Sequence, residues 1–205
     1  PNYTLALLPA ATCYAVVRWK TGKIITWKYF IWSVFLPSLL MLGWQYYFTY
    51  TTQSSYLQAG ESSSILFAPF AAVSSNSNFI GVKFLCSIIF PLFVTITFGK
   101  RLKRYPEYFL ALLIFIWGSL YFYLLAEPGV YLTQQRFLWS ASIGLFLWFL
   151  TSMRVLISEG GIPFMGRPLS RSVQFCYAIF IVSVACGIVK YCVDAGWLSR
   201  LGVGL

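Results

Sequence analysis

The sequence predicts an all-α fold: a polytopic transmembrane helical bundle of about six spans, with a re-entrant or interfacial element in one long outer loop. Three observations predict it. Hydrophobic residues make up 59% of the 205 and charged residues only 10%, with a mean hydropathy of +0.74, whereas a soluble surface needs about a quarter of its residues charged. Apolar runs long enough to cross a hydrocarbon core recur along the chain, separated by short polar connections. Basic residues gather in every second connection, as membrane topology requires.

Residues 107–152 show the pattern best: an apolar arm, the loop EPGVYLTQQR at 127–136, and a second apolar arm. The first arm, 108–126, carries no charge. At about 1.5 Å per helical residue it reaches about 28 Å, close to the hydrocarbon thickness. The second arm, 137–153, is at the short end of that range.

Taken in order, the first span covers 3–17, with Pro9 inside it, and ends at a basic turn holding Arg18, Lys20, Lys23 and Lys28. The second, 29–50, contains Pro37, Gly43 and Gln45 and ends in a tyrosine-rich edge suited to a headgroup interface. Residues 51–78 form the longest connection. It starts polar, turns apolar at 65–73 (ILFAPFAAV) and polar again at SSNSN. Nine apolar residues are too few to cross a bilayer, which is why a re-entrant or interfacial element is expected here. The third span, 79–98, holds Lys83 near its start, within reach of the interface by snorkelling. A second basic turn follows with Lys100, Arg101, Lys103 and Arg104. The hairpin spans 108–126 and 137–153 lead to a Gly/Pro-rich third basic connection, 154–171. The last span is 172–193.

The alternate connections 18–28, 99–106 and 154–171 hold four, four and three of the fifteen basic residues. The positive-inside rule then makes them cytoplasmic. Both ends of the chain, the long loop and 127–136 are extracytoplasmic in this reading, in the plasma (bacterial inner) membrane. The opening on Pro1 leads us to expect part of a longer polypeptide.

The net charge of +10 is explained by topology and anionic headgroups; no soluble module is left to hold nucleic acid. The five cysteines show no paired spacing, and there is no histidine. Imidazole metal ligands and Ser-His or Cys-His nucleophiles are thereby excluded. Phosphate-loop, dinucleotide, zincin and nucleophile-elbow motifs are missing too.

The polar residues on the predicted outer side are the candidates for chemistry: Gln45, Glu61, Asn76, Asn78, Lys83, Glu127, Gln134, Gln135 and Arg136. Glu127 and Arg136 flank the hairpin loop at the mouths of two spans. They suit either an interfacial ion pair, the simpler reading, or a cavity for an anionic group. Arg136 and Lys83 are the candidate phosphate binders, since a guanidinium fork can hold two phosphate oxygens. Glu61 has the chemistry of a base or a ligand but also that of a plain exposed side chain. No metal-ligand set and no complete catalytic constellation can be assembled.

Three stretches carry a resemblance: PNYTLALLPA at 1–10, FAPF at 67–70 before SIIFPL at 87–92, and AEPG at 126–129 followed by QQRFLW at 134–139. The pattern resembles the C-terminal half of GT-C-type polytopic membrane glycosyltransferases. The resemblance implies transfer of a sugar from a polyprenyl-phosphate carrier at the outer membrane face. It implies lipid-linked sugar and membrane lipids as partners, and leaves room for a divalent metal, although no cofactor is evident in the residues. That family's catalytic acid lies in the first outer loop, ahead of the matching region, so no catalytic residue is assigned. Two other classes compete. One is a non-catalytic membrane subunit of a larger complex; the other is a transporter or lipid flippase, which the nearly uncharged span centres disfavour.

Overall fold

The computed structural model describes residues 3–21, 27–48, 66–70, 80–126, 138–161 and 170–194. Six helical runs account for nearly all of them. They are α1 (Tyr3–Lys20); a run of α2 (Trp27–Phe30), a π-helical segment (Ile31–Phe35) and α3 (Leu36–Tyr47); α4 (Ile80–Phe98); α5 (Pro106–Leu124); α6 (Leu138–Gly160); and α7 (Arg171–Asp194). A 3₁₀ turn, Leu102–Arg104, precedes α5. Among the described residues two two-residue strands, β1 (Leu66–Phe67) and β2 (Leu125–Ala126), accompany the helices. Among the described residues, three helices are long and apolar enough to cross a membrane: Pro106–Leu124, Leu138–Gly160 and Arg171–Val189. Phe84–Phe98 is a shorter apolar helix.

The chain divides into two compact units, residues 1–80 with 106–148, and residues 81–105 with 149–205, so that α6 contributes to both. In the first unit α1 lies on α5. Ala6, Ala10 and Ala15 are buried and four or five residues apart, a smooth stripe that lets two helices approach closely. Ala6 and Ala10 meet Ile114, with Leu110, Leu113, Trp117 and Leu147 packed around them.

The α5–α6 contact is closer still. A β-carbon placed on Gly118 would sit 2.8 Å from the backbone of Ser140 and Ala141, and one on Gly144 would sit 2.7 Å from the backbone of Phe115. The two glycines therefore let backbone meet backbone at two levels of the same helix pair. Ser140 and Gly144 form a small-xxx-small step on α6, the spacing by which membrane helices dock. Phe115 and Trp148 stack just beyond it, with ring centroids 5.2 Å apart.

The π-helical segment has a local cause. Pro37 has no N–H to give to the Ser33 carbonyl, and its ring crowds that carbonyl. Widening the turn ahead of it, with the Leu36 N–H bonded back to Ile31 O, accommodates the proline without ending the helix.

In the second unit α4 and α7 run antiparallel, with contacts stepping from Thr97–Cys176 through Phe93–Phe175 to Phe90–Phe180. Phe90, Phe149 and Phe180 form a three-ring cluster with centroids 4.7 to 5.6 Å apart. Such pairs are worth about 0.5–1.5 kcal/mol each beyond their burial. Helix α6 ends on Gly161, whose φ of 82° and N–H bond to Ile157 O make a left-handed cap. The Tyr177 hydroxyl donates to the Gly161 carbonyl at 2.8 Å.

One expectation of extent is corrected. The sequence ends the second hairpin arm at 153 and gives 154–171 to a connection, but α6 continues to Gly160. Arg154 and Glu159 interrupt the apolar pattern without breaking the helix, because both are good helix formers and no glycine or proline lies between Arg154 and Gly160.

Candidate functional site

The predicted outer end of the first unit is organised by the contact of β1 with β2. Leu66 opposes Ala126 and Phe67 opposes Leu125 in an antiparallel rung. The Ala68 N–H then donates to Leu124 O at 3.0 Å and the Phe70 N–H to Tyr123 O at 2.7 Å. These bonds take up carbonyls of the last turn of α5, which have no partner within the helix. The apolar stretch of the long loop is thus tied, through its described residues 66–70, to the mouth of the hairpin's first arm.

Phe70 stands out in this contact. Its φ of 61° is the one positive value at a non-glycine among the described residues. Such a conformation costs about 1–3 kcal/mol, and it persists here because the hydrogen bond to Tyr123 O and the ring contact with Tyr123, at 5.8 Å, hold it. The Phe67 and Phe70 side chains are both exposed. They make an apolar knob, with Phe70 beside Tyr123, suited to lipid or to an apolar chain.

Of the sequence-predicted site residues, Lys83 lies in the first turn of α4, and only its backbone is described. Gln45 is half-buried in α3. Glu61, Asn76, Asn78, Glu127, Gln134, Gln135 and Arg136 lie outside the described residues. Glu127 is the next residue in sequence after the β2 rung, and Arg136 lies two before α6. Among the described residues no group of three or more His, Cys, Asp or Glu side chains could hold a metal ion.

A second polar centre, in the other unit, was not singled out by sequence reasoning. Glu159 accepts from Arg101 Nη1 at 3.1 Å and from the Tyr105 hydroxyl at 3.1 Å, and Arg104 Nη1 lies 3.7 Å away. The Glu159 side chain is 13% exposed, against 57% for Arg101 and 77% for Arg104. A carboxylate in the last turn of a helix opposes the helix dipole. Two cations and a hydroxyl offset that cost and fasten the 3₁₀ turn to the end of α6. The signal available beforehand was the basic cluster at 100–104 together with one acid in the next basic connection. Their separation of more than fifty residues concealed the pairing.

Comparison of the chain with protein-family models, with curated proteins and with solved structures finds no match to any of them.

Proposed function

We propose that the chain is a multi-pass integral membrane protein of about six spans, with the long loop at its outer face, and that it works on a lipid-linked substrate there. The observation that carries the membrane part is where the apolar side chains point. In the run 27–48 only Ser38 is buried, while Trp32, Leu40, Met41, Trp44, Tyr46 and Tyr47 are exposed. In α7 Phe175, Ile181, Val182, Ile188 and Val189 are exposed as well. Each such side chain costs about 1.5–3 kcal/mol in water relative to an apolar surrounding, so together they call for a lipid solvent.

Within that frame the activity we propose is the one the sequence resemblance implies: the membrane-embedded C-terminal half of a glycosyltransferase that takes sugar from a polyprenyl phosphate. The apolar knob at Phe67 and Phe70 supports it, since two exposed aromatic side chains suit a polyprenyl chain and are tied to the strand Leu125–Ala126, which directly precedes Glu127 in sequence. Arg136 and Lys83 would bind the carrier phosphate. The test is transfer from a polyprenyl-phosphate sugar by the full-length protein in liposomes, with Arg136→Gln and Lys83→Gln. Loss of transfer with normal assembly supports the reading.

A non-catalytic subunit is the second reading, favoured by the aromatic surface of the 27–48 run, which a partner helix would cover. Under it the same variants leave transfer unaffected, and Trp44→Ala with Trp32→Ala releases a copurifying membrane protein.

A further inference from the structure

The second unit gathers cations from three separate parts of the sequence at one end. Its described charged side chains are Lys100, Arg101, Lys103, Arg104, Arg154 and Arg171 against Glu159 alone, six positive and one negative. Three contacts bring them together. Arg101 and Arg104 fasten the 3₁₀ turn to Glu159 near the end of α6. A β-carbon on Gly160 would lie 2.9 Å from Val173, which places the first turn of α7 beside the same end. The Thr97–Cys176 contact, carried one turn further along the antiparallel α4–α7 pair, sets Lys100 and Arg101 level with Arg171.

Glu159 occupies one nitrogen each of Arg101 and Arg104, whereas Lys100, Lys103 and Arg171 are exposed. An apolar surface begins within one turn of them. Ile96, four residues before Lys100, is among the most exposed apolar side chains. Phe175, four residues after Arg171, is 54% exposed, and Val182 and Val189 follow at seven-residue steps on the same face at 61% and 59%. Cations that end abruptly on an exposed apolar stripe match one kind of ligand, an anionic head on an apolar chain. A nucleic acid or an acidic peptide would leave the stripe uncovered.

We propose that this end of the second unit seats an anionic phospholipid, its phosphate held by Lys100, Lys103 and Arg171 and its acyl chain lying along Phe175 and Val182. Glu159 fastens the 3₁₀ turn that carries Lys103. The proposal rests on the membrane reading above but not on glycosyl transfer.

The test uses the full chain in detergent, with retention of phosphatidylglycerol and of phosphatidylcholine of the same acyl composition read by native mass spectrometry. The triple variant Lys100→Gln, Lys103→Gln, Arg171→Gln leaves both arginine contacts with Glu159 in place. Wild type is expected to retain phosphatidylglycerol at least about tenfold better than phosphatidylcholine. That preference should fall about tenfold in the triple variant, and fall again in about 0.5 M salt. If the triple variant does not fold, Arg171→Gln alone should lower the preference about threefold. Equal retention of the two lipids, or an unchanged preference in the folded variant, overturns the proposal. So does an equal stabilisation by inorganic phosphate, which would make the site one for a free anion. Flotation with phosphatidylcholine vesicles separates the two levels. A wild-type chain that does not float overturns the membrane reading and this proposal with it, whereas one that floats without lipid preference overturns this proposal alone.

Discussion

Substituting Gly118 or Gly144 by alanine tests the backbone-to-backbone approach of α5 and α6. A β-carbon on Gly118 meets backbone at 2.8 Å and one on Gly144 at 2.7 Å, where ordinary contact begins at 3.4 Å. The atoms met are backbone, so no side chain can rotate away. Relief requires the helices to separate by about 0.6–0.7 Å, and gaps of that size forfeit about a quarter to a half of the dispersion attraction across a contact. Overpacking of this kind costs about 1–3 kcal/mol. Alanine's better helix propensity returns about 0.5–1 kcal/mol, leaving a net loss of about 0–2.5 kcal/mol for each variant. The double variant should lose less than the sum, because the first separation makes room for the second methyl. Gly43 and Gly187 supply internal controls: they lie in helices with nothing within 4 Å of an added β-carbon, so alanine there should stabilise by about 0.5–1 kcal/mol. The assay is reversible unfolding in mixed micelles, followed by far-ultraviolet circular dichroism. If Gly118→Ala were as stable as Gly187→Ala, the close approach would be wrong.

Other outcomes follow from the same geometry. Phe90 is fully buried within the Phe149–Phe180 cluster, so Phe90→Ala should lower stability by about 3–5 kcal/mol in the same assay. Glu159→Gln keeps the shape of the side chain but removes its charge from Arg101 and Arg104, and should cost about 1–2 kcal/mol. A double-mutant cycle with Arg101→Gln should give a coupling of about 0.5–1 kcal/mol that weakens with salt; no coupling would mean the contact is incidental. At Phe70 the positive φ makes glycine the relaxed residue and a β-branched one the strained residue. Phe70→Gly should therefore be within about 1 kcal/mol of wild type, and Phe70→Val destabilising by about 1–2 kcal/mol, as read by hydrogen exchange of the Phe70 amide bonded to Tyr123.

The helical class and the positions of the apolar runs were legible because length and hydropathy determine them locally. Each helical run overlaps one apolar segment, and the fully uncharged stretch 108–126 became the well-packed helix Pro106–Leu124. Pro37 lies within a continuous helical run, as its place inside the second apolar span led one to expect. What the periodicity did not carry was pairing. Gly118 and Gly144 look like ordinary helix-weakening glycines until the facing backbone is known, and Glu159 looks like part of a loop until Arg101, 58 residues earlier, is placed beside it. The apolar element at 65–73 was recognised by composition, but its rung with Leu125–Ala126 is a non-local hydrogen-bond pattern that two-residue strands leave no trace of in sequence. The candidate anion binder Arg136 and the acids Glu61 and Glu127 fall outside the described residues, and Lys83 is described only by its backbone.

The central claim is that the exposed apolar faces are covered by lipid. Its most direct measurement is spin labelling at Phe175, Val182, Val189, Leu40 and Trp44, one site at a time, in a chain whose native cysteines are replaced by serine and which is reconstituted in phosphatidylcholine vesicles. Collision with oxygen, which concentrates in the bilayer, is then compared with collision with a water-soluble nickel chelate. Oxygen should dominate at every site, and Val182 should lie deeper than Phe175. Labels at Val182 and Leu40 that collide mainly with the nickel chelate would contradict the claim.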